Sequence, residues 1–95
     1  MTLDDAIKKC KSMGLKVYIW PDLGVDISFG KIKFGRLRQV LRHYLIHSHW
    51  WKVQDEDIDN VSVEDWEKAL NKFIYMAKEY NQNLRKEQIE NIFKK

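Results

Sequence analysis

The sequence predicts an α+β fold. It reads as one small domain over residues 1–95, in the order α-β-β-β-α-α-α, with a short antiparallel meander packed against helices. Three observations lead there. Apolar residues recur at helical spacing over residues 3–13, 35–51 and 63–80. Residues 15–34 are instead rich in β-branched and aromatic side chains and are punctuated by Pro21, Gly24 and Gly30. A chain of 95 residues that is 44% hydrophobic, with one Pro and four Gly, suits a single core and excludes both a disordered and a two-domain chain.

The first helix, residues 3–13, opens on a capping-box variant, Thr2 with Asp5, and presents Leu3, Ala6, Ile7 and Cys10 on one stripe. Gly14 is placed to cap its C-terminus. Cys10 lies on the apolar stripe, where a core thiol is expected rather than a reactive one. Residues 15–20 read as a strand with Val17 and Ile19 on one face and Tyr18 and Trp20 on the other. Pro21 and Gly24 then supply a turn. Residues 25–29 alternate cleanly, and Gly30-Lys31 fits a two-residue hairpin turn into a third strand at 32–34. That register opposes Phe29 to Ile32 and Ile27 to Phe34.

Residues 35–51 carry Leu37, Val40, Leu41, Tyr44, Ser48 and Trp51 on one helical face, with Ile46 and Trp50 on the opposite side. A helix apolar on both sides calls for cover on both. Residues 55–60 form an acidic loop, and Ser62 with Asp65 opens a third helix at 63–80, whose stripe includes Trp66, Ala69, Leu70, Phe73, Ala77 and Tyr80. Asn81-Gln82-Asn83 is expected to break it before a last helix at 84–93, docked by Ile89, Ile92 and Phe93. The first 51 residues thus share the element order α-β-β-β-α with double-stranded RNA-binding domains. The likeness is in element order alone, since the lysine motif at the start of those domains' last helix is absent.

A net charge of +3 hides a marked segregation. Residues 27–54 hold six Lys and Arg, all three His and no acid, while residues 55–67 hold seven acids and no base. Either the acidic stretch folds back onto the basic one, or the basic stretch meets an anionic partner. On the second reading Lys31, Lys33, Arg36, Arg38 and Arg42 bind nucleic acid through its phosphate backbone, without base readout.

Other chemistry finds little support in the residues. His43 and His47, four apart on one helix face, have no paired cysteine and no H-E-x-x-H glutamate to complete a zinc site. Asp55, Asp57 and Asp59 resemble the opening of a calcium loop, but Asn60 and Trp66 stand where such a loop needs Gly and a bidentate Glu. No nucleophile elbow or phosphate loop is present, so no enzyme, metal or cofactor is expected. A lone Cys10 cannot form an internal disulfide. No apolar run approaches the ~20 residues that span a bilayer, and no signal-peptide pattern opens the chain, so a cytoplasmic location is expected.

Two functions follow as expectations. The first is a small non-enzymatic accessory or regulatory protein that binds nucleic acid through the basic cluster. Its Lys-, Ile- and Asn-rich composition suits a phage or mobile element. The alternative is a protein–protein interaction module, an inhibitor or adaptor, whose aromatic patch of Ile46, Trp50 and Tyr75 meets a protein partner or a second copy of the chain.

Overall fold

The computed structural model describes the backbone of residues 1–93 and the side chains of residues 1–82. A helix α1 (Leu3–Ser12) leads into five strands: β1 (Lys16–Trp20), β2 (Gly24–Phe29), β3 (Ile32–Val40), β4 (His43–His47) and β5 (Glu56–Asp57). A 3-10 turn, Ile58–Asn60, and a long helix α2 (Val63–Phe93) follow. The strands form one antiparallel sheet in chain order. The α+β fold with an antiparallel meander is therefore as expected, but the sheet is larger and the helices fewer.

The capping box holds. The Thr2 hydroxyl accepts from the Asp5 amide at 3.2 Å, and the Asp5 carboxylate accepts from the Thr2 amide at 3.4 Å. Ala6 and Cys10 of α1, with Trp66, Leu70, Phe73 and Ala77 of α2, bury the sheet face that carries Val25, Ile27, Leu37 and Ile46. Phe34 sits at the centre of this core, edge-on to Trp66 at 5.5 Å and to Phe73 at 5.2 Å. Cys10 is fully buried, and burial pushes its thiol up to about 12, which makes it the inert core thiol its position implied. Among the described residues, no helix covers the opposite face of the sheet.

Two expected elements are corrected. Residues 35–51 form no second helix. β3 runs on to Val40, Leu41-Arg42 makes a two-residue turn, and β4 returns with Val40 opposite His43 and Leu37 opposite Ile46. The turn contains no Gly, Asn or Pro to announce it. Leu41 itself takes the left-handed conformation, φ 56°, a position a hairpin usually gives to glycine. The apolar side chains on both faces of this segment are those of a strand half-buried on one side. The likeness to the double-stranded RNA-binding order ends here, because the helix that would complete it is absent.

The break at residues 81–83 is the second correction. α2 continues through Asn81-Gln82-Asn83, since Asn and Gln each lower helix propensity by no more than about 0.7 kcal/mol and neither Gly nor Pro intervenes. The docking expected of Ile89, Ile92 and Phe93 concerns side chains outside those described.

Candidate functional site

The open face of the sheet is organised by one irregularity. In a regular strand, residues three apart point to opposite faces, which would separate Lys33 from Arg36. The pairing of β2 with β3 shifts between Ile27 and Ser28, which oppose Gly35 and Lys33, so Phe34 is the extra residue of a β-bulge. Phe34 turns into the core, and Lys33, Arg36 and Arg38 all end on the open face. The bulge also corrects the expected pairing of Ile27 with Phe34, whereas Phe29 opposite Ile32 holds. The Ser48 hydroxyl donates to the Phe34 carbonyl, which the bulge removes from the ladder.

Three cross-strand rows follow from the register. Lys16, Ser28 and Lys33 form the first; Tyr18, Asp26, Arg36 and His47 the second; Trp20, Gly24, Arg38, Leu45 and Asp57 the third. Strands β1 to β4 thus offer this face four permanent cations and one carboxylate. Two aromatic rings lie beside them. Tyr18 is 58% and Trp20 40% exposed, with ring centres 4.7 Å apart.

Asp26 is the hub. It accepts from Arg36 Nε at 2.7 Å and Nη2 at 3.3 Å, and from the Trp20 indole N–H at 2.7 Å, with Lys33 Nζ 3.5 Å away. The Arg36 hydrogen bonds hold its carboxyl below the usual carboxylate range, helped by Trp20 and Lys33 and opposed by partial burial. A lowered folded-state value stabilises the protein above the unfolded value, and that stability is lost as pH falls through the folded one. Asp26→Asn is therefore expected to be less stable than the parent near neutral pH, with the gap closing in acid as the native Asp26 protonates. Denaturant melts over a pH series would read it, and a gap unchanged from neutral to acid would contradict the hub.

Beside this hub a groove of about 530 Å³ is lined by Lys33, Arg36, Arg38, His47, His49 and Gln54, with the bulge as its floor and, among the described residues, no carboxylate in its wall. Lys33, Arg36 and Arg38 of the predicted basic cluster are thus brought together. Lys31 and Arg42 are not, because each occupies a hairpin turn, at opposite ends of β3 and roughly 30 Å apart. The cluster lies along a strand, not at a helix start. The acidic stretch does fold back, but only onto one margin. Asp55 lies 3.1 Å from His47 and 3.9 Å from Arg38, and Asp57 lies 3.1 Å from His43. Among the described residues, no acid of 55–67 pairs with Lys33 or Arg36.

The aromatic patch is dispersed. Ile46 is fully buried in β4, which removes it from any interface. Trp50 is half-buried, its ring 5.2 Å from Phe73. Tyr75 is 65% exposed on α2, whereas Ile46 is buried, so the three do not share one exposed surface. Trp51 and Trp66 are core, as expected. His43 and His47 lie on a strand, so four residues separate them by roughly 13 Å and no single ion can bridge them. Sequence reasoning missed Tyr18, Trp20, Asp26 and His47 as members of the face. The outward alternation of Tyr18 and Trp20 in an otherwise apolar strand was the available signal.

No protein-family model, curated protein or solved structure matches the chain. Among the described residues, no helix is long and apolar enough to cross a membrane.

Proposed function

We propose that the protein is a non-enzymatic nucleic-acid-binding accessory protein that holds a single strand across the open face of its sheet. The observation that carries this reading is a groove lined by Lys33, Arg36 and Arg38 on the same sheet face as two exposed aromatic rings. Lys33, Arg36 and Arg38 would meet successive phosphates, and Tyr18 and Trp20 would stack on bases, a combination that favours unpaired strands over duplexes. A duplex buries the base faces and gives the rings nothing to stack on. Asp26 fixes the orientation of Arg36 and Trp20, and Arg36 keeps one Nη free to turn to a phosphate oxygen.

The test is fluorescence anisotropy of labelled single- and double-stranded oligonucleotides at two salt concentrations. Binding is expected to favour single strands and to weaken steeply with salt. Arg36→Glu/Arg38→Glu should lower affinity tenfold or more for every sequence and reduce the salt slope by roughly one to two. Trp20→Ala should cost roughly tenfold with the salt slope unchanged, since stacking releases no counterions. Equal affinity of the parent and the double variant would remove the face from consideration.

A further inference from the structure

Two features that the sequence offered separately, one of a histidine pair and part of an acidic run, meet at one corner of the open face. His43 projects from β4. Asp57, at the end of β5, and Asp59, in the 3-10 turn, approach it from the neighbouring segment. His43 Nδ1 lies 3.1 Å from Asp57 Oδ2 and 4.0 Å from Asp59 Oδ2, and one donor atom from each residue falls within 4.8 Å of the other two. We propose that this corner is a binding site for a divalent transition-metal ion of the zinc or nickel type. The proposal stands apart from the nucleic-acid reading and does not depend on it.

The charge around the corner sets it apart from an ordinary ion pair. His47, on the same strand, also places Nδ1 3.1 Å from a carboxylate, that of Asp55. Asp55, however, is shared with the permanent cation Arg38 at 3.9 Å. Asp57 and Asp59 have no Lys or Arg partner among the described residues. Two carboxylates and one imidazole therefore bring three potential ligand atoms together at one corner, with no Lys or Arg against them among the described residues. Asp57 is oriented for the task, because its Oδ1 accepts from the Asp59 amide at 3.0 Å while Oδ2 is directed to His43.

The donor set selects the ion. Imidazole nitrogen with two carboxylate oxygens suits zinc, nickel or their neighbours, whereas calcium and magnesium take oxygen ligands almost exclusively. Ligand bonds of about 2.0–2.2 Å bring donor atoms on one ion to within roughly 3.0–3.5 Å of each other. His43 and Asp57 already meet that spacing. Asp59 Oδ2, 4.0 Å from His43 Nδ1, stands slightly outside it on a side chain that is 68% exposed. Water would complete the coordination. The ion would join β4 to the 3-10 turn across β5, a strand of two residues.

The experiment is calorimetric titration of the untagged full chain with zinc chloride and nickel chloride, with thermal melts in parallel. One ion per chain at micromolar affinity is expected, and a rise in Tm on the order of 10 °C when metal stands 100-fold above Kd. His43→Gln should weaken binding tenfold or more. That side chain is 59% exposed, and unchanged circular dichroism would show that the variant folds. His47→Ala should leave metal affinity unchanged. Magnesium and calcium chloride should bind at least tenfold more weakly. Absence of binding, equal loss in the His47 variant, or full affinity in the His43 variant would each overturn the site. So would a Tm insensitive to metal, which would identify His43 as a simple ion-pair partner of Asp57.

Discussion

Trp66→Ala is expected to destabilise the protein by about 3–5 kcal/mol, the range for removing a large aromatic from a closed core. Trp66 is fully buried, and it touches every layer of the fold. Its ring meets Phe34 of β3 at 5.5 Å and Trp51 of the loop after β4 at 5.7 Å, and its indole N–H donates to the Ala6 carbonyl of α1 at 3.3 Å. Truncation removes the packing and leaves a cavity where α1, α2 and the sheet meet. In a domain whose whole stability is of the order of 5–15 kcal/mol, that loss lowers Tm by roughly 15–30 °C. Trp20→Ala provides the contrast. Its ring is 40% exposed and sits on the open face, so its loss should change Tm by only a few degrees while reducing nucleic-acid affinity. Thermal melts of the two variants separate the tryptophan that holds the fold from the one assigned to binding. A Trp66 variant as stable as the Trp20 variant would mean that the three layers are not joined there.

The same residues show where sequence reasoning reached the fold and where it stopped. Thr2 with Asp5, Pro21 with Gly24, and Gly30-Lys31 are local signals that act through local hydrogen bonds and backbone angles, and each element they bound is present. The stripe of Trp66, Leu70, Phe73 and Ala77 survives because a helix needs only its own spacing to present one face. Residues 35–51 misled because Leu37, Val40, Leu41 and Tyr44 recur at helical spacing, whereas the strand alternation restarts on the far side of the Leu41-Arg42 turn. The hairpin at Leu41-Arg42 carries no turn residue, so what decides the matter is tertiary: β4 pairs with β3 along its length and adds a strand to the sheet. The candidate site followed suit. Lys33, Arg36 and Arg38 were legible as a charge run, but their common face depends on a bulge that no residue spacing announces. The return of Asp55 to Arg38 depends on the same unexpected hairpin.

Gly35→Ala should destabilise the protein by about 2–5 kcal/mol, from backbone strain and overpacking together. Gly35 sits at φ +154°, and a Cβ there would lie 2.5 Å from the His47 carbonyl oxygen and 2.5 Å from Ser48 Cβ. Neither neighbour can give way cheaply. The His47 carbonyl belongs to β4, and Ser48 is buried and holds the Phe34 carbonyl of the bulge. The chain can relieve the overlap only by parting β3 from β4 or by sliding the bulge along β3. Sliding would turn Lys33 or Arg36 away from the open face, so a Gly35 variant that still folds should also bind nucleic acid more weakly and with a shallower salt slope. Denaturant melts give the first quantity, and anisotropy well below Tm gives the second. Gly30→Ala is the control for overlap alone, because Gly30 also has a left-handed φ of +60° but a Cβ there meets nothing within 4 Å. If Gly35→Ala cost no more than Gly30→Ala, the bulge would not be what locks the three cations on one face. If it lost stability yet kept full affinity and salt slope, phosphate contact would not require Lys33 and Arg36 together, and binding would rest on Arg38 and the aromatic pair.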